Sequence, residues 1–203
     1  MPGVGGGANA GTVASSHSGA RPTYFTLDDT VSGATGYGWS LSVDKLTATH
    51  RSGFGSAGVA SSGAITTGGA LKRRFQVTWI DVNGVQAVGV FKSPDDVLQL
   101  PGQESNTYAY RSDGDVYNGA GTGLGGNHNW TSGDVLDVVI DEATRVMSFY
   151  YNGTLQTNTY TLSAGTYKAL IGGQDNEPPL SKFTVNFGDT PFTNSIPGTV
   201  GWY

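Results

Sequence analysis

The stretch GDVLDVVIDEATRVMSFYYNG, residues 133–153, places Asp134, Asp137, Asp141 and Glu142 within nine positions of one another. Carboxylates so close could serve acid/base chemistry, bind a metal or hold a turn. Alternation decides between these. In VLDVVID, Leu136, Val138 and Ile140 fall on one face of a strand, and Asp137 and Asp141 on the other. At the rise of a strand the two Asp stand roughly 13 Å apart, beyond the roughly 5–9.5 Å that pairs glycosidase carboxylates. The arrangement is expected to be structural: Asp134 bonding turn amides at the strand entrance, and Asp141-Glu142 opening the next connection.

Other chemistries fare no better. The glutamates Glu104, Glu142 and Glu177 each fall in an expected loop, and none forms the two-apart acidic row of a sandwich glycanase. His17, His50 and His128 are the histidines, and no Gly-x-Ser-x-Gly elbow occurs. DGDVYNG, residues 113–119, begins like a calcium loop, but Tyr117 stands where a ligand is needed and Leu124 where the closing Glu belongs. The expectation is no enzyme, no metal and no cofactor, with a triad assembled from distant loops left open because triads need not be local in sequence. Two sequons, at Asn129 and Asn152, matter only in a glycosylating pathway.

The elements that would carry these residues are short strands. From Tyr24 onward apolar residues recur at every second position: Phe75, Val77 and Trp79; Tyr167, Ala169 and Ile171; Phe183, Val185 and Phe187. Asn83-Gly84, Asp113-Gly114 and Asn152-Gly153 read as tight hairpin turns, each predicting antiparallel neighbours. The one helical signal, SPDDVLQLPG at 93–102, allows at most two turns. Many strands without βα alternation predict an all-β, antiparallel β-sandwich or barrel.

Composition agrees. With 13% charged residues and 32 glycines in 203 positions, the surface is largely neutral and rich in turns. A net charge of −5 argues against nucleic acid, and the one basic cluster, Lys72-Arg73-Arg74, reads as a solvated strand entrance. Without cysteine the fold has neither disulfides nor thiolate zinc. No membrane span and no Sec signal peptide are visible. Residues 1–22, rich in Gly, Ala and Ser, are expected to form an arm, either a disordered leader or a segment that orders on a partner or a neighbouring copy.

Together, GYGWSLSVDKLTATHRSG (36–53), VQAVGVF (85–91), YAYRSDGDVYNG (108–119) and WTSGDVLDVVIDEATRVMSFYYNG (130–153), followed by YKALIGG and FTVNFGDTPF, resemble a SPRY domain of concanavalin A-like fold over residues 24–192. The resemblance implies the bent antiparallel β-sandwich as the form of the fold, and implies that Gly133-Asp134 and Asp141 are architectural. Asp137 departs from it, standing where the family keeps glycine or a small residue. The expected organisation is an arm at 1–22, a sandwich at 23–192 and a C-terminal tail at 193–203.

What the resemblance implies is recognition of protein segments, or of glycans as in related folds, through loops at one end. The loops at 118–130 and 172–180 are the candidates, with 102–108 nearby. The candidate contact residues are Tyr108, Tyr110, Tyr117, Asn118, His128, Asn129, Trp130, Asp175, Asn176 and Glu177. Trp130 leads for its ring face, with a place in the core as the competing reading. The expected function is a non-enzymatic recognition or structural module, with a lectin or a glycan-active enzyme as alternatives. The layout resembles stand-alone SPRY-like proteins of bacteriophages. That implies a virion location, a capsid or tail protein as partner, and a homo-oligomer as one further state.

Overall fold

A computed structural model describes residues 23–28, 38–51, 56–94, 100–119, 123–174 and 178–203. The segments 1–22 and 175–177 lie outside the described residues, as do residues 95–99 of the expected helix at 93–102. Among the described residues every regular element is a strand. Among the described residues no helix is long and apolar enough to cross a membrane.

Two sheets stack face to face. The first contains β1 (Leu27–Asp28), β4 (Ser56–Ser61), β13 (Thr166–Gln174), β7 (Val85–Ser93), β8 (Thr107–Arg111) and β9 (Val116–Asn118) in that spatial order, with β5 (Ile65–Thr66) also paired to β13. The second runs β12 (Thr154–Thr161), β11 (Val146–Tyr151), β10 (Val135–Asp141), β6 (Lys72–Asp81), β14 (Lys182–Asn186), β3 (Thr47–His50), β2 (Trp39–Leu41). Every pairing in these two series is antiparallel. The addition of β15 (Thr199–Gly201) beside the start of β6 is parallel.

The alternations expected from the sequence face inward. Phe75, Val77, Trp79, Val138, Ile140, Tyr167, Ala169, Ile171, Phe183 and Phe187 are fully buried between the sheets. Burying a large apolar side chain stabilises by about 1.5–3 kcal/mol, so this shared layer fixes the register of both sheets.

Of the three hairpin turns, two form as expected. Asn152 and Gly153 both take positive φ, 46° and 81°, and join the paired strands β11 and β12. The Asp113-Gly114 turn joins β8 to β9. Asn83-Gly84 corrects the expectation, because β6 ends in one sheet and β7 begins in the other. This turn is a corner. The Asn83 amide donates to Ser181 Oγ at 2.8 Å and its side chain to the Pro179 carbonyl at 2.8 Å, so other loops supply the partners that a hairpin would supply itself.

Residues 193–203, expected as a tail, are instead woven into the second sheet. Residues 191–197 cross its outer face as a strap, β15 follows, and Trp202 is fully buried against Phe75 at 5.2 Å. Lys72-Arg73-Arg74 corrects a second expectation. It is a strand entrance but not a solvated one, since Arg74 is 2% exposed and Arg73 bonds Glu142 at 2.8 Å and lies 4.6 Å from the Tyr203 ring.

Candidate functional site

The four clustered carboxylates are all committed to the frame. Asp134 accepts from the Thr131 amide at 2.7 Å and the Asn152 side chain at 2.9 Å. Asp141 accepts from the Thr144 amide at 3.0 Å, and this bond leads the effects that hold its pKa below the usual carboxylate value. Glu142 holds Arg73 and the Leu71 amide.

Asp137 is sealed under the strap. Its Oδ1 accepts from Arg74 Nε at 2.9 Å, Arg74 Nη2 at 2.7 Å and Gln76 Nε2 at 2.8 Å, and its Oδ2 accepts from Asn194 Nδ2 at 3.1 Å. Arg74 also donates to the Asn194 carbonyl and lies under the Phe192 ring. Asp137, which departs from the family pattern, is therefore neither solvent-facing nor a ligand surface: it sits in a satisfied buried network. Among the described residues no group of three or more His, Asp or Glu side chains is placed to hold a metal.

The rim where β6 ends and β10 begins is braced differently. The Val82 amide donates to Ser132 Oγ at 2.9 Å, the Trp130 amide to the Ser112 carbonyl at 3.2 Å, and Asn127 Nδ2 to the Gly114 carbonyl at 3.1 Å. Asn158 on β12 holds the Leu124 and Gly125 carbonyls. Cross-bracing of this kind presents loop side chains from a fixed backbone, which lowers the ordering cost of binding.

His128 stands on this frame. Its ring is exposed and stacks on Tyr151 with centroids 5.1 Å apart and planes 20° from parallel. Its carbonyl accepts from the Tyr110 hydroxyl, and its amide donates to Gln156 Oε1 at 3.1 Å. Burial first, and then the charge of Asp134, raise the Tyr151 pKa above the ordinary phenol value. At neutral pH Tyr151 is a neutral donor and a platform for the histidine ring. Asn129, Thr131 and Ser132 are exposed beside it.

The sequence candidates do not form one site. His128 and Asn129 share the upper rim. Trp130 is 1% exposed and stacks on Trp79 at 5.1 Å, so it belongs to the core and offers no ring face. Tyr110 is fully buried, and desolvation raises its pKa far above the ordinary range. Tyr108 packs at the inner edge near Tyr160, at 5.8 Å. Tyr117 lies on the outer face of the first sheet beneath Arg111, 4.6 Å away.

Asn118 ends β9 at the opposite end of the sandwich, where the loop at 102–106 also lies, so that loop is not near the rim. Asp175, Asn176 and Glu177 lie outside the described residues. Tyr151 was missed by sequence reasoning. Its signal is parity: it shares the inward face of Met147 and Phe149, but at a strand end above the core, where an inward aromatic becomes a rim platform.

The comparisons agree with this architecture. The SPRY domain family model matches residues 72–171. A human SPRY domain structure superposes with a TM-score of 0.58 at 22% identity, covering 73% of this chain and 96% of its own. The SPRY domain of human HERC1 gives 0.59 at 20%, covering 79% and 96%. The TRIM65 PSpry domain gives 0.58 at 16%, covering 81% and 92%. No curated protein matches by sequence. Residues 72–171 carry the match to the SPRY domain, and the chain has the β-sandwich fold of these structures.

Proposed function

We propose that this SPRY domain is a non-enzymatic recognition module that binds a protein segment through the upper rim, with His128 and Asn129 as its contacts. SPRY domains are protein-interaction modules. The observation that carries the placement is the exposed, stacked His128 on a rim whose turns are tied to one another. The imidazole over Tyr151 offers an apolar face and an edge donor, and Asn129 adds a donor and an acceptor. The finer part of the reading is a virion setting, with a capsid or tail protein as the partner and residues 1–22 as the docking arm. It draws on the layout of the chain. Asp175, Asn176 and Glu177, which follow β13 in the sequence, are kept in this reading as candidate contacts.

A cysteine-free sequence makes the test clean. Asn129→Cys and Val43→Cys, the latter exposed in the β2–β3 turn at the far end, each take one photo-crosslinker and are irradiated in extract from the source. A single protein adduct from the Asn129→Cys chain but not from the Val43→Cys chain is expected, with a capsid or tail protein as its identity. Equal labelling from both positions, or none from Asn129→Cys, contradicts the rim.

A further inference from the structure

A concave surface lies on the outer face of the second sheet, away from the rim. Val139 of β10 and Val146 of β11 form its floor, and Ile196 and Pro197 of the strap form one wall. The trough encloses about 290 Å3, at the lower limit of small-molecule sites. Polar groups converge on it. Ser148 and Tyr150 contribute side-chain hydroxyls that bond none of the described residues. At one end Lys72 and Asp141 face each other at 3.7 Å, beyond direct hydrogen-bond range.

This combination selects a class of ligand. An anion would meet the Asp141 carboxylate and a simple cation the Lys72 ammonium, whereas the opposed pair gives the trough almost no net charge. What remains is an apolar floor ringed by hydroxyls, one ammonium donor and one carboxylate acceptor. A neutral ligand with C–H groups on one face and hydroxyls around its edge satisfies all of them. We propose that this trough is a saccharide-binding site that takes one pyranose ring.

The surrounding sheet gives the site a direction. Ser148 pairs with Thr159 and Val146 with Thr161 on the edge strand β12, and both threonines are exposed on the same face. The strap closes the trough on one side, so a glycan chain extends across β12 toward the open edge. This site is independent of the rim reading, and either can fail alone.

The test titrates the full chain with a panel of glucose, galactose, mannose and N-acetylglucosamine tetrasaccharides and follows backbone amide shifts. At least one member is expected to shift Val139, Ser148 and Tyr150 without moving 128–133. Ser148→Trp fills the trough and is expected to weaken binding by at least about tenfold with unchanged melting. Where that variant does not fold, Tyr150→Phe serves: it removes one hydroxyl and is expected to weaken binding by about 2–10-fold. No shift with any member, shifts confined to the rim, or wild-type affinity in the folded variants overturns the site.

Discussion

Asp134, at the entrance of β10, and Asp137, within it, are three residues apart, yet they serve opposite kinds of surface. Asp137 is 0% exposed, closed in by Arg74, Gln76 and Asn194, because the strap crosses the sheet directly above it. Asp134 stands at the rim, half-buried, and ties a turn whose neighbours His128 and Asn129 face solvent. Both carboxylates are fully partnered. The difference lies in what covers them: a covered polar cluster becomes a structural fastening, and an uncovered one becomes a frame that displays its neighbours.

The largest effect is expected where the cover itself is removed. Deleting residues 193–203 takes away Trp202, β15 and the Asn194 contacts at once, and should abolish the cooperative thermal transition, as read by near-ultraviolet circular dichroism. A deletion that melts like the full chain would make the strap an ornament and dissolve the contrast. Asp137→Ala comes next. It strands the Arg74 guanidinium in a dry site and should cost about 3–5 kcal/mol in urea unfolding, while Arg74→Met combined with Asp137→Leu should recover most of that. A loss below about 1 kcal/mol would show that the network is wet and no different from the rim.

The smallest effect is electrostatic and separates neither region from its fold. Asp141 and Asp44 have pKa values held below the ordinary carboxylate value, Asp141 first by the Thr144 amide and Asp44 first by the Ser42 hydroxyl. A depressed folded pKa means that their contribution is fully present above that ordinary value and is lost as pH falls through the lower folded values. Asp141→Asn should therefore lower stability at pH 7, with the deficit shrinking as the pH falls into the acid range, as read by melting temperature against pH. A deficit that persisted at low pH would point to lost packing rather than charge.

Legibility in the sequence followed the range of the interactions. The alternation in FTVNFG and RRFQVTW marked the inward faces because a strand's period of two is a local property. The Asn152-Gly153 hairpin was legible for the same reason, since both residues tolerate positive φ. Asn83-Gly84 misled because the same dipeptide also serves a corner between sheets, and what distinguishes the two is the distant Ser181 and Pro179. For Trp130 the sequence left core and contact surface open; the stacking partner that decides the matter is Trp79, 51 positions away.

By itself the sequence determined the sandwich class, the inward residues, the architectural duty of the clustered carboxylates and the resemblance to a SPRY domain, because periodicity and turn chemistry are written over a few neighbouring residues. The tertiary structure alone decided that the chain's last residues roof the Arg74–Asp137 network, that candidates from one stretch scatter to both ends and into the core, and that His128 finds its platform in Tyr151. Those outcomes depend on which strands become neighbours. Burial and partnership are set by groups brought together across the fold, and no local pattern carries that information.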